Sequence, residues 1–453
     1  MRARAAICFG LTIAACALAA KDLRANPVDT FGYGGRSTAM AGANVADVDD
    51  FSANYYNPAG LVASKGLRFD VGYVHAAHHL QMNGRDNQVD PLRAMEFGIV
   101  APGKIAALPF AIGIGMHLPD DRVLRVRSLE QQQPRWEMFD NRTQRLFFAA
   151  NLAIRPWPWL EVGGGLAFLA QTHARLDITG NVDLADPVMS ELRHEVDADL
   201  TSIRYPQAGV RVIATDRLRF AAVYRGSFQL ALDIDARLAV TAQYLKVQVP
   251  LLALISTKSI NAFLPQQVVV GGSWDASDAV TLDADLTWIQ WSAYKSPVTR
   301  VTSDIKIDAP AGFPSRLLPE KPAPTLVLDP NFRDTFVPRL GVEWRVPLDA
   351  RGREGHVLSL RGGYFYERSP IPEQTGGTNF VDSDRHVLTG GVGIKLADLL
   401  DVVPGDLRFD LYGTFSYLPP RTMHKAEGYD LIGDYTARGT IWLLGATAGV
   451  VFR

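Results

Sequence analysis

Three arginines, Arg219, Arg225 and Arg361, sit on the polar face of extended segments, and Arg175 lies at the end of another. A guanidinium held among apolar side chains pairs bidentately with a carboxylate, so these four are the candidate ligand-binding residues. The alternative is that they pair with Asp283, Asp285 or Asp410 and only hold an interior together. His75, His78 and His79 are close in sequence, but on a strand His78 points away from the other two, which argues against a metal site. Cys8 and Cys16 are the only cysteines, so the rest of the chain has no thiol for disulfide, zinc or nucleophilic chemistry. There is no nucleophile elbow, metal-ligand spacing or phosphate loop. No catalytic residue, cofactor or metal is therefore expected. A net charge of −2 with 21% charged residues argues against nucleic acid as a partner.

The elements that position the arginines follow from periodicity. Residues 1–25 read as a secretory signal: Arg2 and Arg4, an apolar run from Ala5 to Ala20, then cleavage after Ala19 or Ala25. Ile13-Ala14-Ala15-Cys16 leaves lipidation at Cys16 open. Mean hydropathy is +0.01, and past residue 25 no apolar run reaches the ~18 residues of a spanning helix. From Leu218 the even positions are apolar through Ile234, while Arg219, Arg225, Gln229 and Asp233 occupy odd ones. The same alternation recurs around Leu282, Leu360 and Leu411. Strands this long, apolar on one face and charged on the other, suit a wall between lipid and a polar lumen.

Strands are expected at 67–82, 93–101, 109–118, 137–154, 159–177, 201–214, 217–235, 264–275, 279–294, 336–347, 356–367, 385–396, 406–418 and 440–453. The fold expected is all-β, a 14-stranded antiparallel transmembrane β-barrel over 66–453. Connections after odd strands are long and those after even strands short, which puts the short turns on the periplasmic side. Two outer loops stand out. Asp186–Asp199 has helical spacing of Val188, Met189, Leu192 and Val196. Val249–Ile260 is apolar through Leu251, Leu252, Leu254 and Ile255, either a landing site for greasy ligands or a lid packed on another loop. The Pro-rich stretch 295–335 is expected to be irregular.

Residues 26–65 lack strand periodicity and are rich in Gly and Ala. The run Gly34-Gly35-Arg36-Ser37-Thr38-Ala39-Met40-Ala41-Gly42, followed by Asn54-Tyr55-Tyr56-Asn57-Pro58-Ala59-Gly60, resembles the N-terminal hatch of the FadL-type outer-membrane transport family. Three later segments are similar to the same family: Phe336-Val337-Pro338-Arg339-Leu340-Gly341, Ser369-Pro370-Ile371-Pro372, and Asp382-Ser383-Asp384-Arg385-His386. The C-terminus departs from the usual aromatic ending, since Arg453 follows Phe452.

The resemblance implies a barrel plugged by an N-terminal hatch and passive uptake of hydrophobic molecules, long-chain fatty acids or aromatic hydrocarbons. It implies capture at outer loops, passage to a lumenal pocket, hatch movement and sideways exit at a kinked third strand. Gly113 and Gly115 are the candidate kink, or simply relieve crowding inside the barrel. Gly35, Arg36, Gly42, Asn57, Pro58, Ala59 and Gly60 are the candidate gating residues. Asn57 is the sharpest of them, because its amide can bond backbone across the turn that Pro58 fixes. A plug that moves is expected to lack a large apolar core. The partners implied are the hydrophobic ligand, outer-membrane lipid and lipopolysaccharide, and the barrel-assembly machinery, around a monomer. A lipid hydrolase, or an adhesin or phage receptor with an inert lumen, are the rival classes.

Overall fold

The computed structural model describes residues 27–121, 133–140, 146–183, 187–244, 247–294, 300–308, 310, 328–348, 355–397, 405–426 and 432–452. The signal segment, both cysteines and Arg453 lie outside these.

Fourteen strands form a closed antiparallel ring. They are β1 (Arg68–Met82), β2 (Leu92–Ile105), β3 (Leu108–Pro119), β4 (Phe147–Trp157), β5 (Leu160–Asp183), β6 (Glu191–Thr215), β7 (Leu218–Arg225), β8 (Gln267–Asp275), β9 (Val280–Ile289), β10 (Thr335–Pro347), β11 (Val357–Glu367), β12 (Arg385–Ala397), β13 (Gly405–Met423) and β14 (Tyr435–Phe452). Each pairs with its sequence neighbour, and β1 closes on β14 in a register running from Arg68↔Val451 to Met82↔Ala437. The pleat sorts the side chains. On β1, Phe69, Val71 and Tyr73 face out as exposed apolar groups, while Arg68, Asp70 and Val74 are buried. The same outward apolar set on the other strands, such as Ile112, Leu152, Phe336 and Leu444, makes the lipid-facing belt.

Five expectations about elements are corrected, one of them that 295–335 is irregular, since Arg300–Ile307 is a strand. The fourth strand starts at Phe147 rather than 137, because Glu137–Asp140 is a helical turn folded into the mouth. The seventh strand is not continuous over 217–235. It stops at Arg225, and the strand Phe228–Tyr244 leaves the ring to pair in parallel with the outer half of β5, His173↔Asp233 through Asp183↔Gln243. The break falls where Gly226 packs on Pro206 and its N–H bonds the Pro206 carbonyl at 2.7 Å. Period two continues through it because both pieces are half-buried strands, and alternation reads the pleat but not its continuity.

The Asp186–Asp199 stretch is not an amphipathic helix. Apart from a single 3₁₀ turn at Pro187–Met189, its described part is the rising edge of β6, laddered to β5 as far as Asn181↔Glu191. A long unpaired edge on β5 overrides the helical spacing. Val249–Ile260 likewise belongs to a strand, Val247–Leu264, set between Phe228–Tyr244 and a further strand at Arg300–Ile307. These pieces build a sheet that stands on the long-loop end of the barrel. Its hairpin tip carries Val188 and Met189 at 88% and 70% exposure.

Candidate functional site

The N-terminal segment fills the lumen. It contains α1 (Pro27–Phe31), α2 (Gly35–Ala39) and two 3₁₀ turns, Phe51–Asn54 and Pro58–Ala63. Between Tyr33 and Val62 only Asp47 and Asp49 are partly exposed. Contrary to expectation, the segment does have an apolar core. Tyr33, Val45, Phe51, Tyr55, Leu61 and Val62 join wall residues such as Val100, Phe147 and Val223 in one cluster. Phe51 packs edge-on against Tyr33 at 5.0 Å and lies against the bare backbone of Gly98.

Ion pairs hold the other side. Arg36 meets Glu343 at 3.0 Å and also pairs with Asp47 and Asp49. Glu343 in turn accepts from Arg361 at 2.6 Å, and Arg361 also pairs with Asp410. Arg219 bridges Asp47 and Asp275, both at 2.9 Å. Arg219 and Arg361 are therefore consumed by lumenal acids, the alternative that the sequence left open. Arg175 lies outside the lumen on the outer sheet, where its side chain is 58% exposed and pairs with Asp177 at 2.8 Å.

Asn57 caps the second 3₁₀ turn. Its side-chain oxygen accepts the Ala59 N–H at 3.0 Å and its amide donates to the Val45 carbonyl at 2.8 Å. Pro58 follows at the first position, where its missing N–H costs nothing. Gly42 has φ +68°, and Gly35 and Gly60 leave no room for a Cβ against Asp410 and the Val48 carbonyl respectively. Gly113 and Gly115 also serve packing: a Cβ there would strike Asn54 and Leu61, or Tyr33. β3 shows no register shift against β2 or β4.

A narrow cavity of about 80 Å³ lies between this segment and the mouth of the barrel. Val28, Phe31, Ala41, Val45, Tyr55 and Tyr56 form its floor, and Val269, Ile289, Trp291, Phe365 and Val387 its wall. Met138, Phe139, Ser369 and Pro370 roof it. Arg225, Arg339, Arg368 and Arg385 also line it. Of the four arginines chosen from sequence, only Arg225 is here. Its Nε and Nη2 donate to the carbonyls of Tyr55 and Tyr56 at 3.0 and 3.2 Å, Nη1 donates to Gln267 at 2.8 Å, and the guanidinium lies over the Tyr55 ring. Arg339 donates to the Ala41 carbonyl at 2.8 Å and lies over Phe365. Arg385 pairs with Glu367. Sequence reasoning passed over Arg339 and Arg385, although the alternation of β10 and β12 turns both inward with Val337 and Val387. At the rim, burial pushes the Asp382 carboxyl up to about 7, with the Ser369 hydroxyl pulling the other way at 2.7 Å.

Leu251, Leu252, Leu254 and Ile255 lie away from the cavity on the outer sheet, with Leu254 41% exposed and the other three half-buried. His75 and His79 face outward and His78 inward, and among the described residues no group of His, Cys, Asp and Glu could hold a metal.

Alkane uptake protein A of Marinobacter nauticus is 21% identical over 418 residues, 86% of this chain and 82% of that protein. A crystal structure of a Pseudomonas aeruginosa FadL homologue superposes with a TM-score of 0.55 at 13% identity, covering 96% of this chain and 100% of that one. The Pseudomonas putida toluene transporter TodX superposes at 0.51 with 16% identity, covering 92% and 97%. At such identities the superpositions speak for the fold. The family model described as "Outer membrane protein transport protein (OMPP1/FadL/TodX)" matches residues 139–410, and the chain, an outer-membrane β-barrel, belongs to that family.

Proposed function

We propose that the protein admits hydrophobic small molecules passively through the outer membrane, with long-chain fatty acids or related lipids and aromatic hydrocarbons as the substrate class. The observation that carries this reading is the lumenal cavity, apolar on most sides and lined by arginines that could hold a polar head. Relatives named for alkane uptake and toluene transport support it. At about 80 Å³ the cavity is smaller than the roughly 300–1,000 Å³ of typical ligand pockets, so a ligand must displace something to enter. We assign that movement to residues 26–65 acting as a hatch, with Arg36, Asn57 and Pro58 among the residues that set how readily it moves. Capture on the outer sheet at Leu251–Ile255 precedes entry. Release sideways into the bilayer is part of the same proposal and requires the β2–β3 ladder, continuous here, to part. The barrel works as a monomer inserted by the assembly machinery and bathed in lipopolysaccharide.

The test is uptake of labelled palmitate and hexadecane into cells whose only such barrel is this one, with a Val269→Trp variant that fills the cavity. Loss of uptake in the variant, with normal heat-modifiable migration of the barrel, is the expected result. Undiminished uptake would show that ligand does not pass this way.

A further inference from the structure

Arg225 and Arg339 differ in one respect from four other arginines that face inward. Arg36, Arg219, Arg361 and Arg385 each face a carboxylate. Arg225 and Arg339 make no ion pair among the described residues. Their donors go to neutral oxygens, and three of those are backbone carbonyls of the N-terminal segment: Tyr55, Tyr56 and Ala41. All five of these residues line the same cavity. Each guanidinium also lies over an aromatic ring, Arg225 at 4.3 Å from the Tyr55 centroid and Arg339 at 4.2 Å from that of Phe365. The rings hold the guanidinium carbons in place, and the N–H groups are the part that exchanges partners.

A carboxylate is a much better acceptor for a guanidinium than an amide carbonyl, because the bond is charge-assisted and two-pronged. A ligand carboxylate entering this cavity therefore competes for the very donors that tether the segment. We propose that Arg225 and Arg339 form a carboxylate-operated latch: an anionic amphiphile takes their N–H groups from the Tyr55, Tyr56 and Ala41 carbonyls and so frees the segment, whereas an uncharged hydrocarbon of the same length does not. The proposal rests on the cavity being the ligand site and adds which head group opens it. The ion pairs of Arg36 are untouched by such a ligand, since both partners there are already charged.

The experiment is single-channel conductance of the full-length barrel in planar bilayers with palmitate, methyl palmitate or hexadecane added. These share a chain and differ in the head. Palmitate is expected to raise the open fraction at least about tenfold more than the other two, the ratio that one charge-assisted pair supplies. The Arg225→Lys/Arg339→Lys double variant keeps both charges but loses the fork, and its palmitate response is expected to fall towards that of the ester. Arg211→Gln serves as control, since Arg211 donates to the Val48 carbonyl at 2.9 Å and does not line the cavity. It should raise the basal open fraction and keep the palmitate response. Equal responses to the three ligands, or a full response in the double lysine variant, would overturn the latch. If Val269→Trp loses palmitate uptake while the lysine variant responds in full, only the latch fails. If Val269→Trp takes up palmitate normally, the cavity reading fails and the latch with it.

Discussion

The two sides of the N-terminal segment are held by different physics. At Arg36 the segment meets the wall charge to charge: Arg36, Glu343, Arg361 and Asp410 form a chain of buried ion pairs. On the cavity side Asp29 is the segment's own charge, but Arg225 and Arg339 direct their donors to its uncharged carbonyls. Breaking a pair of the first kind strands a buried charge. Breaking a contact of the second kind leaves a guanidinium ready for another acceptor. A plug built this way stays anchored on one side and exchanges partners on the other.

The largest effect expected from splitting these two sides is at Glu343. Glu343→Ala removes the carboxylate shared by Arg36 and Arg361, leaving them Asp47, Asp49 and Asp410, and removing one partner of a buried network costs up to about 3–5 kcal/mol. Thermal unfolding followed by heat-modifiable migration should show the barrel weakened and the channel leaky; an unchanged midpoint would mean that water takes over the lost contacts. Phe51→Ala comes next. Emptying a fully buried aromatic site costs about 3–4 kcal/mol, but within the segment, so leak should rise while the barrel's own melting changes less. Asn57→Ala removes a cap and should cost about 1–2 kcal/mol. Uptake or leak should change with migration unaltered, and conductance and uptake both at the unmutated level would make Asn57 an ordinary turn residue.

A smaller effect is pH-dependent and lies in the mouth. Because burial lifts the Asp382 carboxyl to about 7, above its value of about 3.9 in an unfolded chain, the folded loop binds more protons than the unfolded one between those limits. Its contribution to stability is fully present below about pH 4 and is lost as pH rises through 7. Ser369–Asp384 should therefore be looser at pH 8 than at pH 6, seen as faster hydrogen exchange in that loop, and Asp382→Asn should flatten the difference. The smallest effect is on the outer sheet. Replacing Leu251, Leu252 and Leu254 with Ser should slow uptake only at low ligand concentration, and equal loss at every concentration would make these side chains structural.

The ring was legible in the sequence because a wall between lipid and lumen forces period two onto every strand, and the fourteen expected strands match the fourteen observed in order. What alternation cannot report is the partner. The Leu218–Ile234 run alternates across Gly226 although the chain changes neighbours there. The helical spacing of Val188, Met189, Leu192 and Val196 was real, yet an open edge on β5 drew most of that stretch into a ladder. The site was less legible than the wall. Parity turned Arg219, Arg225 and Arg361 inward without saying which would meet an acid, since Asp47, Asp275 and Glu343 arrive from distant parts of the chain. Arg339 and Arg385 stood in segments already singled out and could have been found by applying the same parity to β10 and β12.

The closing seam between β1 and β14 bears on how the molecule assembles. The segment that fills the lumen is made before the first strand, yet its tethers reach residues made near the end: Arg36 to Glu343, Ala39 to Thr389, Thr30 to Arg385. Contacts so distant in sequence form late and slowly. These contacts between the segment and the wall form only once the sheet has curled around it, and the pairing of Arg68 with Val451 belongs to the seam that encloses it. A chain cut short before β14 would lose one strand of the ring and, with it, the enclosure in which its first folded residues take shape.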